Sequence, residues 1–251
     1  MFDQPAIENN VIGITDLDLP IYRIFSTFWF EKLITTSKNG LVHPSSWDDP
    51  FENFFLKNEA ELPDGTDVSL FELSKSWYGQ CWTRNFDSDA MWRIYSPKKD
   101  GVKVKTTVRN LFSNFYDSSD KFVSLKFLIG SVDYRSRIEI EQFIEKTTFN
   151  DLSLGGQPHK FAKTLLIKRP EFQHENEVRL LFQDVEGNHG CDGVAIFKFD
   201  WKKIISEVSL DPRLTNSDYV DLKQKLVSLG CSVPIVQSEL YKFKPGKIRV
   251  Q

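Results

Sequence analysis

A chain of 251 residues, 40% of them hydrophobic and 27% charged, carries enough apolar material for one substantial core. Its formal net charge of −3 excludes a broad electrostatic footprint for nucleic acid. Three widely spaced cysteines, Cys81, Cys191 and Cys231, exclude a disulfide framework or a paired-cysteine zinc site, and no apolar run reaches the roughly 18 residues of a membrane span.

The opening sequence MFDQPAIENNVIG has no basic region followed by an apolar run, so a cytoplasmic protein is expected, with residues 1–19 as an extension and 20–251 as a single domain. PIYRIF (20–25) predicts a short strand led in by Pro20, and residues 26–40 a helix capped by Ser26 and ended by Gly40. An apolar start broken by Pro44 and Pro50 follows, and residues 57–70 read as an acidic exposed loop. LFELSKSW predicts a helix, YGQCWT a strand, and SDAMWRIYS (88–96) a helical turn or two capped by Ser88 or Asp89. GVKVKTTV (101–108) alternates as a strand with Lys103 and Lys105 on one face. VRNLFSNFY predicts a helix, FLIGSVDY a strand, and both IEIEQFIEKTTF and HKFAKTLLIKR helices. Near the end, GVAIFKF and PIVQSELY read as strands on either side of a capped helix, TNSDYVDLKQKLVSLG, that stops at Gly230. The irregular mixture predicts an α+β fold without regular βαβ alternation.

Three segments carry candidate chemistry. In FQHENEVRLLF (172–182), read as one strand, period two puts Glu175, Glu177 and Arg179 on one face and Val178 and Leu180 on the other. Two carboxylates side by side repel, so at least one needs a cation or a ligand hydroxyl. Arg179 is a local partner, and Arg23 a second if the strands are neighbours. Such a cluster is either a salt bridge network holding the sheet or a site whose carboxylate accepts from a sugar and steadies positive charge in a transition state. Arg23, next to Tyr22 in an apolar strand, calls for a carboxylate or phosphate unless it lies at a wet sheet edge. In CWTRNFDSDAMWRIY, Thr83 ends a strand and Trp92 and Tyr95, three apart, can cover one patch, in the core or in a ligand pocket. The 21 Phe, 7 Tyr and 6 Trp suit either use.

The Walker, GxGxxG, HExxH and GxSxG patterns are absent, and with four His no metal centre is expected; His174 beside Glu175 does not make one. Lys98, Lys99, Lys103 and Lys105 could form a nucleic-acid patch, although a charge run of this kind is more often a solvated face.

Taken in order, Tyr22-Arg23, Asp48-Asp49-Pro50-Phe51-Glu52, Cys81-Trp82-Thr83, Met91-Trp92-Arg93-Ile94-Tyr95, Gly101-Val102, Glu175 to Arg179 and the late SLDPR (209–213) resemble a family of uncharacterised bacterial proteins known as a domain of unknown function. More distantly, the order Arg23, Thr83, Glu175-x-Glu177 is similar to ADP-ribosyltransferases of the Arg-Ser-Glu type, although Thr83 alone matches their Ser-Thr-Ser triplet. This second resemblance implies a split mixed sheet with flanking helices and NAD as co-substrate without a metal. It implies that Arg23 contacts the NAD phosphates or ribose, with Tyr22 beside it, and that Thr83, Trp92 and Tyr95 line the nicotinamide pocket. Glu177 would bind the ribose and stabilise the oxocarbenium-like transition state, and Glu175 would orient or activate the acceptor, a protein or a nucleic acid. A toxin or antiphage effector of this kind implies an inhibitory partner protein. The alternative is a non-enzymatic binding or regulatory module in which the Arg/Glu cluster is structural.

Overall fold

The computed structural model describes residues 9–47, 49, 52, 59–61, 64–69, 71–147, 159–247 and 249. Asp48, Pro50 and Phe51 of the Asp-Asp-Pro-Phe-Glu motif lie outside the described residues.

Strand β1 (Val11–Ile12) falls within the expected N-terminal extension and joins the main sheet. β2 (Pro20–Ser26) leads into helix α1 (Thr27–Thr36), whose Ser26 cap accepts from the Trp29 N–H. The helix stops at Ser37, which takes a left-handed conformation (φ 51°) and donates its N–H to the Leu33 carbonyl. Gly40 is therefore not the terminator: it lies inside β3 (Lys38–Val42), opposite Ile196. The expected acidic loop holds a small antiparallel pair, β4 (Glu59–Glu61) and β5 (Asp67–Ser69), before α2 (Phe71–Ser74).

β6 (Trp77–Thr83), α3 (Asp89–Tyr95, capped by Ser88), β7 (Gly101–Thr107) and α4 (Val108–Phe115) follow the sequence pattern. Next come α5 (Val123–Lys126), β8 (Phe127–Ser131), β9 (Asp133–Tyr134) and α6 (Arg137–Glu145), which starts with a Ser136–Glu139 capping box. The expected helix at 159–169 ends early: α7 (Lys160–Thr164) gives way to β10 (Ile167–Lys168). A 3₁₀ turn (Pro170–Glu175) precedes β11 (Glu177–Gln183), and β12 (Gly190–Cys191) and β13 (Val194–Lys198) form a hairpin. The chain closes with α8 (Trp201–Ile204), β14 (Glu207–Leu210), α9 (Asn216–Ser228) and β15 (Ile235–Gln237).

These elements form an α+β domain built on one mixed sheet in the order β1-β8-β11-β6-β2-β7-β14-β15, with β3 and β13 branching from β6. The β1–β8 and β14–β15 pairs are parallel and the others antiparallel. The sheet is split at β6. Along one edge β6 pairs with β11 over its whole length, from Glu177↔Thr83 to Gln183↔Trp77. Along the other it meets β2 through Tyr22↔Thr83 and β3 through Val42↔Gly79. β2 and β3 thus leave β6 at opposite ends, and a cleft opens beside Gln80, Cys81 and Trp82.

Period-two burial fixes which face is core. Val178, Leu180 and Phe182 of β11, Ile21 of β2 and Val102 and Val104 of β7 pack with Phe30, Leu111, Phe112 and Trp201 in the main cluster. Much of the phenylalanine sits here: Phe115 lies edge-on to Phe127 and Phe197, which also meets Phe182. A second cluster under α7 joins Trp77, Leu128, Phe161, Leu165, Leu166 and Leu181 on the opposite face. Among the described residues no helix is long and apolar enough to cross a membrane.

Candidate active site

The cleft at the split is a cavity of about 360 Å³, at the low end of the range for small-molecule sites. Its walls come from β2 (Tyr22, Arg23), β6 (Gln80 to Thr83), α3 (Met91, Tyr95), Trp47, Lys168 and the Glu175–Glu177 corner. Tyr22, Thr83 and Glu177 stand in register across three neighbouring strands. Six of the seven residues expected at a site therefore line one cavity. Trp92 does not: it is fully buried in α3, with its indole N–H donating to Asp87 at 2.7 Å. A spacing of three put Trp92 and Tyr95 on adjoining faces, but the Asp87 acceptor draws the indole inward.

The Glu-x-Glu corner is not one continuous strand. Asn176 adopts a left-handed conformation (φ 45°), so Glu175 ends the 3₁₀ turn while Glu177 begins β11. The corner is pinned to the end of β6 from two sides. The Thr83 hydroxyl donates to the Glu175 carbonyl at 2.5 Å and accepts from the Asn85 N–H at 3.0 Å. Asn85 Nδ2 donates to the His174 carbonyl at 2.7 Å. Thr83 thus shapes the Glu-x-Glu turn with its hydroxyl.

The two carboxylates converge even so, through a lysine that the sequence pattern did not single out. Lys168 Nζ reaches Glu52 at 2.8 Å and Glu177 Oε2 at 3.3 Å, and it also pairs with Glu175 Oε2. Arg179, with no exposed surface, closes the network: its Nε meets Glu177 Oε1 at 2.9 Å and its Nη2 meets Oε2 at 3.0 Å. Its Nη2 also donates to Glu52, and its Nη1 to the Leu165 carbonyl at 2.6 Å. Glu177 therefore faces Arg179 and Lys168; the expectation that it faces Arg23 is not met. Glu175 accepts from the Tyr95 hydroxyl at 3.2 Å. Lys168 escaped the motif reading, although it carried a signal like that of Arg23, a charge beside the apolar run Leu165-Leu166-Ile167. Glu52 was part of the Asp-Asp-Pro-Phe-Glu motif but was not expected at the site.

Arg23 reaches across the split, where its Nη1 donates to the Cys81 carbonyl, and its guanidinium lies 5.1 Å from the Phe25 ring centre. Its buried Nε has no partner among the described residues. Burial lowers its pKa from the usual range, opposed by Cys81, Tyr95 and Glu177.

Trp47 covers this network, with Arg179 at 4.2 Å from its ring centre. The close approach depends on Gly79, where an added Cβ would stand 2.7 Å from the Trp47 ring. Asp49 of the partly described motif pairs with Arg169 at 2.9 Å.

Burial opposes ionisation of Glu177, yet the Arg179 guanidinium, Lys168 and the Cys81 thiol override it and hold the carboxyl at about 2. Burial likewise opposes the charge on Lys168, and Glu177, Glu52 and Glu175 drive its pKa above the ordinary lysine value. The Cys81 thiol is pushed well up, first by burial and then by Glu177, so it stays protonated. Half-buried Tyr134, whose hydroxyl accepts from the Glu177 N–H at 2.9 Å, is raised to about 12, chiefly by desolvation.

The remaining motif residues hold α3 in place. Asp211 accepts from Ser96 Oγ at 2.6 Å, and Arg213 donates to the Trp92 carbonyl at 2.9 Å and to the Ser96 carbonyl at 2.5 Å, tying down the last turn of the helix. Gly101 approaches so closely that a Cβ would lie 2.6 Å from that of Ser96. The candidate lysine patch loses Lys103, which is buried, pairs with Asp87 at 3.1 Å and lies among the rings of Tyr22, Phe86 and Trp92.

Residues 91–180 match the model of a family described as a protein of unknown function, DUF2971. No curated protein matches the chain. Among solved structures, DarT of Thermus sp. 2.9 in complex with NAD+ aligns at 11% identity and a TM-score of 0.41, over 90% of this chain and 98% of that one. DarT in complex with ADP-ribosylated ssDNA aligns at 12% identity and a TM-score of 0.41, over 91% and 98%.

Proposed function

We propose that the cleft binds NAD and cleaves its nicotinamide–ribose bond, with ADP-ribose passing to an acceptor or to water. The observation that carries this reading is the registration of Tyr22, Thr83 and Glu177 across three adjacent strands beside the cleft, with Arg23 in the split. The order Arg23, Thr83, Glu-x-Glu seen in the sequence corresponds to one wall of one site.

Arg23 is the donor for a phosphate or ribose oxygen, and the cavity takes the nicotinamide ring between Tyr95 and Trp47. The N-glycosidic bond breaks with its electron pair going to the ring nitrogen, so nicotinamide leaves neutral and the ribosyl carbon gains oxocarbenium character. Glu177, ionised at any ordinary pH, opposes that charge. An incoming hydroxyl or water then adds to the ribosyl carbon and gives up its proton to the surrounding water, with Glu175 placed to orient the incoming group. A carboxylate has about four lone-pair sites. Arg179 and Lys168 occupy three here, and the Cys81 thiol is the weak donor that a ribose hydroxyl displaces. A toxin or defence role, with a nucleic-acid or protein acceptor and an inhibitory partner, is the biological setting this chemistry suits.

A second reading has its own observation. Both Glu177 oxygens are already held by buried cations, as in a purely structural network inside a non-enzymatic binding module. Calorimetric titration with NAD, with nicotinamide followed in the same sample, separates the two. The first reading predicts binding and release by the wild type and loss of binding in Arg23→Ala. Absence of both binding and release from folded wild type leaves the second.

A further inference from the structure

Glu177 is gripped from outside the main sheet as well as within it. β9 and β10 form a separate two-residue parallel ribbon in which Tyr134 and Lys168 are register partners. Those same two residues contact Glu177 at different points: the Tyr134 hydroxyl accepts its backbone N–H at 2.9 Å, and Lys168 holds its carboxylate at 3.3 Å.

The ribbon is fixed rather than loosely draped. Asp133 N–H donates to the Leu166 carbonyl at 2.7 Å, Arg135 N–H to the Lys168 carbonyl at 2.9 Å, and Val132 N–H to the Glu177 carbonyl at 2.9 Å. Leu166 packs so tightly on β8 that a Cβ at Gly130 would lie 2.3 Å from it. A structural salt bridge needs none of this, because Arg179 already supplies a bidentate partner to Glu177.

We propose that the β9–β10 ribbon, through Lys168 and Tyr134, is a positioning device that keeps Glu177 ionised and aimed into the cleft. The role in catalysis rests on the NAD-cleaving reading; the effect on ionisation does not. The groups around the Glu177 carboxylate are Arg179 on its own strand, Cys81 on β6, Lys168 on β10, Tyr134 on β9, Glu175 on the 3₁₀ turn, Glu52, and Tyr95 on α3, with Arg23 on β2 within electrostatic reach but bonded to the Cys81 carbonyl instead. Three of these buried groups are carboxylates when Glu177 itself is counted, and Lys168 is the one cation that touches all three. Without it the cluster retains Arg179 for Glu177 and Glu52, and like charges drive a carboxyl to hold its proton.

The test uses full-length wild type, Lys168→Met, Lys168→Arg and Tyr134→Phe, each checked for folding by thermal unfolding. NAD cleavage is followed from pH 3 to 8 (roughly the range in which carboxyl groups titrate), and the Glu177 carboxyl is titrated by ¹³C NMR without NAD. Wild type, with Glu177 held at about 2, shows no acid limb inside this window. In Lys168→Met both the limb of kcat and the Glu177 titration rise by at least about one pH unit and enter it, while Lys168→Arg stays flat like wild type. In Tyr134→Phe kcat falls about tenfold with KM nearly unchanged, the pattern of a misaimed group and not of lost binding. A Glu177 titration in folded Lys168→Met that coincides with wild type overturns the proposal. If Lys168→Met does not fold, an unchanged kcat in Tyr134→Phe overturns it instead. A wild type without NAD turnover defeats the functional reading, and the NMR titration still judges the ribbon's effect on ionisation.

Discussion

Arg179 and Glu177 stand two residues apart on β11 and meet side by side, Nε to Oε1 at 2.9 Å and Nη2 to Oε2 at 3.0 Å, with Arg179 wholly buried. A pair one strand-repeat apart ordinarily points the same way without touching so fully. Here the pair is held together by burial of the guanidinium and by Trp47 lying over it.

Removing the guanidinium strands Glu177 and Glu52. Arg179→Met is expected to cost about 3–5 kcal/mol in urea unfolding, the usual penalty for breaking one side of a buried pair. Adding Glu177→Gln to that background should recover part of the loss. A double-mutant cycle measures the coupling, and strictly additive losses would speak against a coupled network.

Acid weakens the protein through the same carboxylate. Glu177 is lowered from 4.5 to about 2 in the folded chain, so its folded pKa lies below its unfolded one. The stability it contributes is present above about pH 4.5 and is lost as pH falls toward 2. Asp184 and Asp211, also shifted down, act in the same direction. Lys168 has the opposite sign: its pKa is raised, so its contribution is full below 10.5 and disappears only in strong alkali. Thermal unfolding between neutral pH and pH 2 should therefore show a falling Tm, with a shallower fall in Glu177→Gln (about neutral to pH 2 being the window in which a carboxylate of this kind titrates).

Gly79→Ala tests the roof of the site. The new Cβ would stand 2.7 Å from Trp47 and 3.2 Å from Leu181, so the indole must lift from Arg179. A loss of about 1–3 kcal/mol in chemical unfolding is expected, typical of overpacking. NAD affinity should weaken alongside, because the ring that moves lines the cleft.

Local signals made several elements legible. Pro20 ahead of an apolar stretch located β2, period-two alternation located β7 and the Val178–Leu180 face of β11, and the Ser88 cap located α3. Three misreadings share a cause: the deciding contact is far away in sequence or runs against a residue's usual role. Gly40 looked like a helix stop, yet Ser37 takes the left-handed conformation and frees residues 38–42 to pair with β13. Residues 167–168 continued an apolar helix pattern until pairing with β9 made them a strand. The acidic run at 59–69 gave no sign of its own hairpin.

The site was legible as a list of residues and not as a network. Tyr22, Thr83 and Glu177 were each identifiable, but the Arg179–Glu52 contact spans 127 residues and has no local trace. Trp92 shows the limit of helical spacing. A neighbour three residues away fixes which patch is shared, while the Asp87 acceptor decides that the indole is buried.

The most direct measurement compares nicotinamide release from NAD by wild type and Glu177→Gln, with both shown to be folded by thermal unfolding. The account predicts release by wild type and a fall of at least about 100-fold in the variant, the scale of losing one electrostatic stabiliser of a transition state. Equal release by the two folded proteins would contradict it.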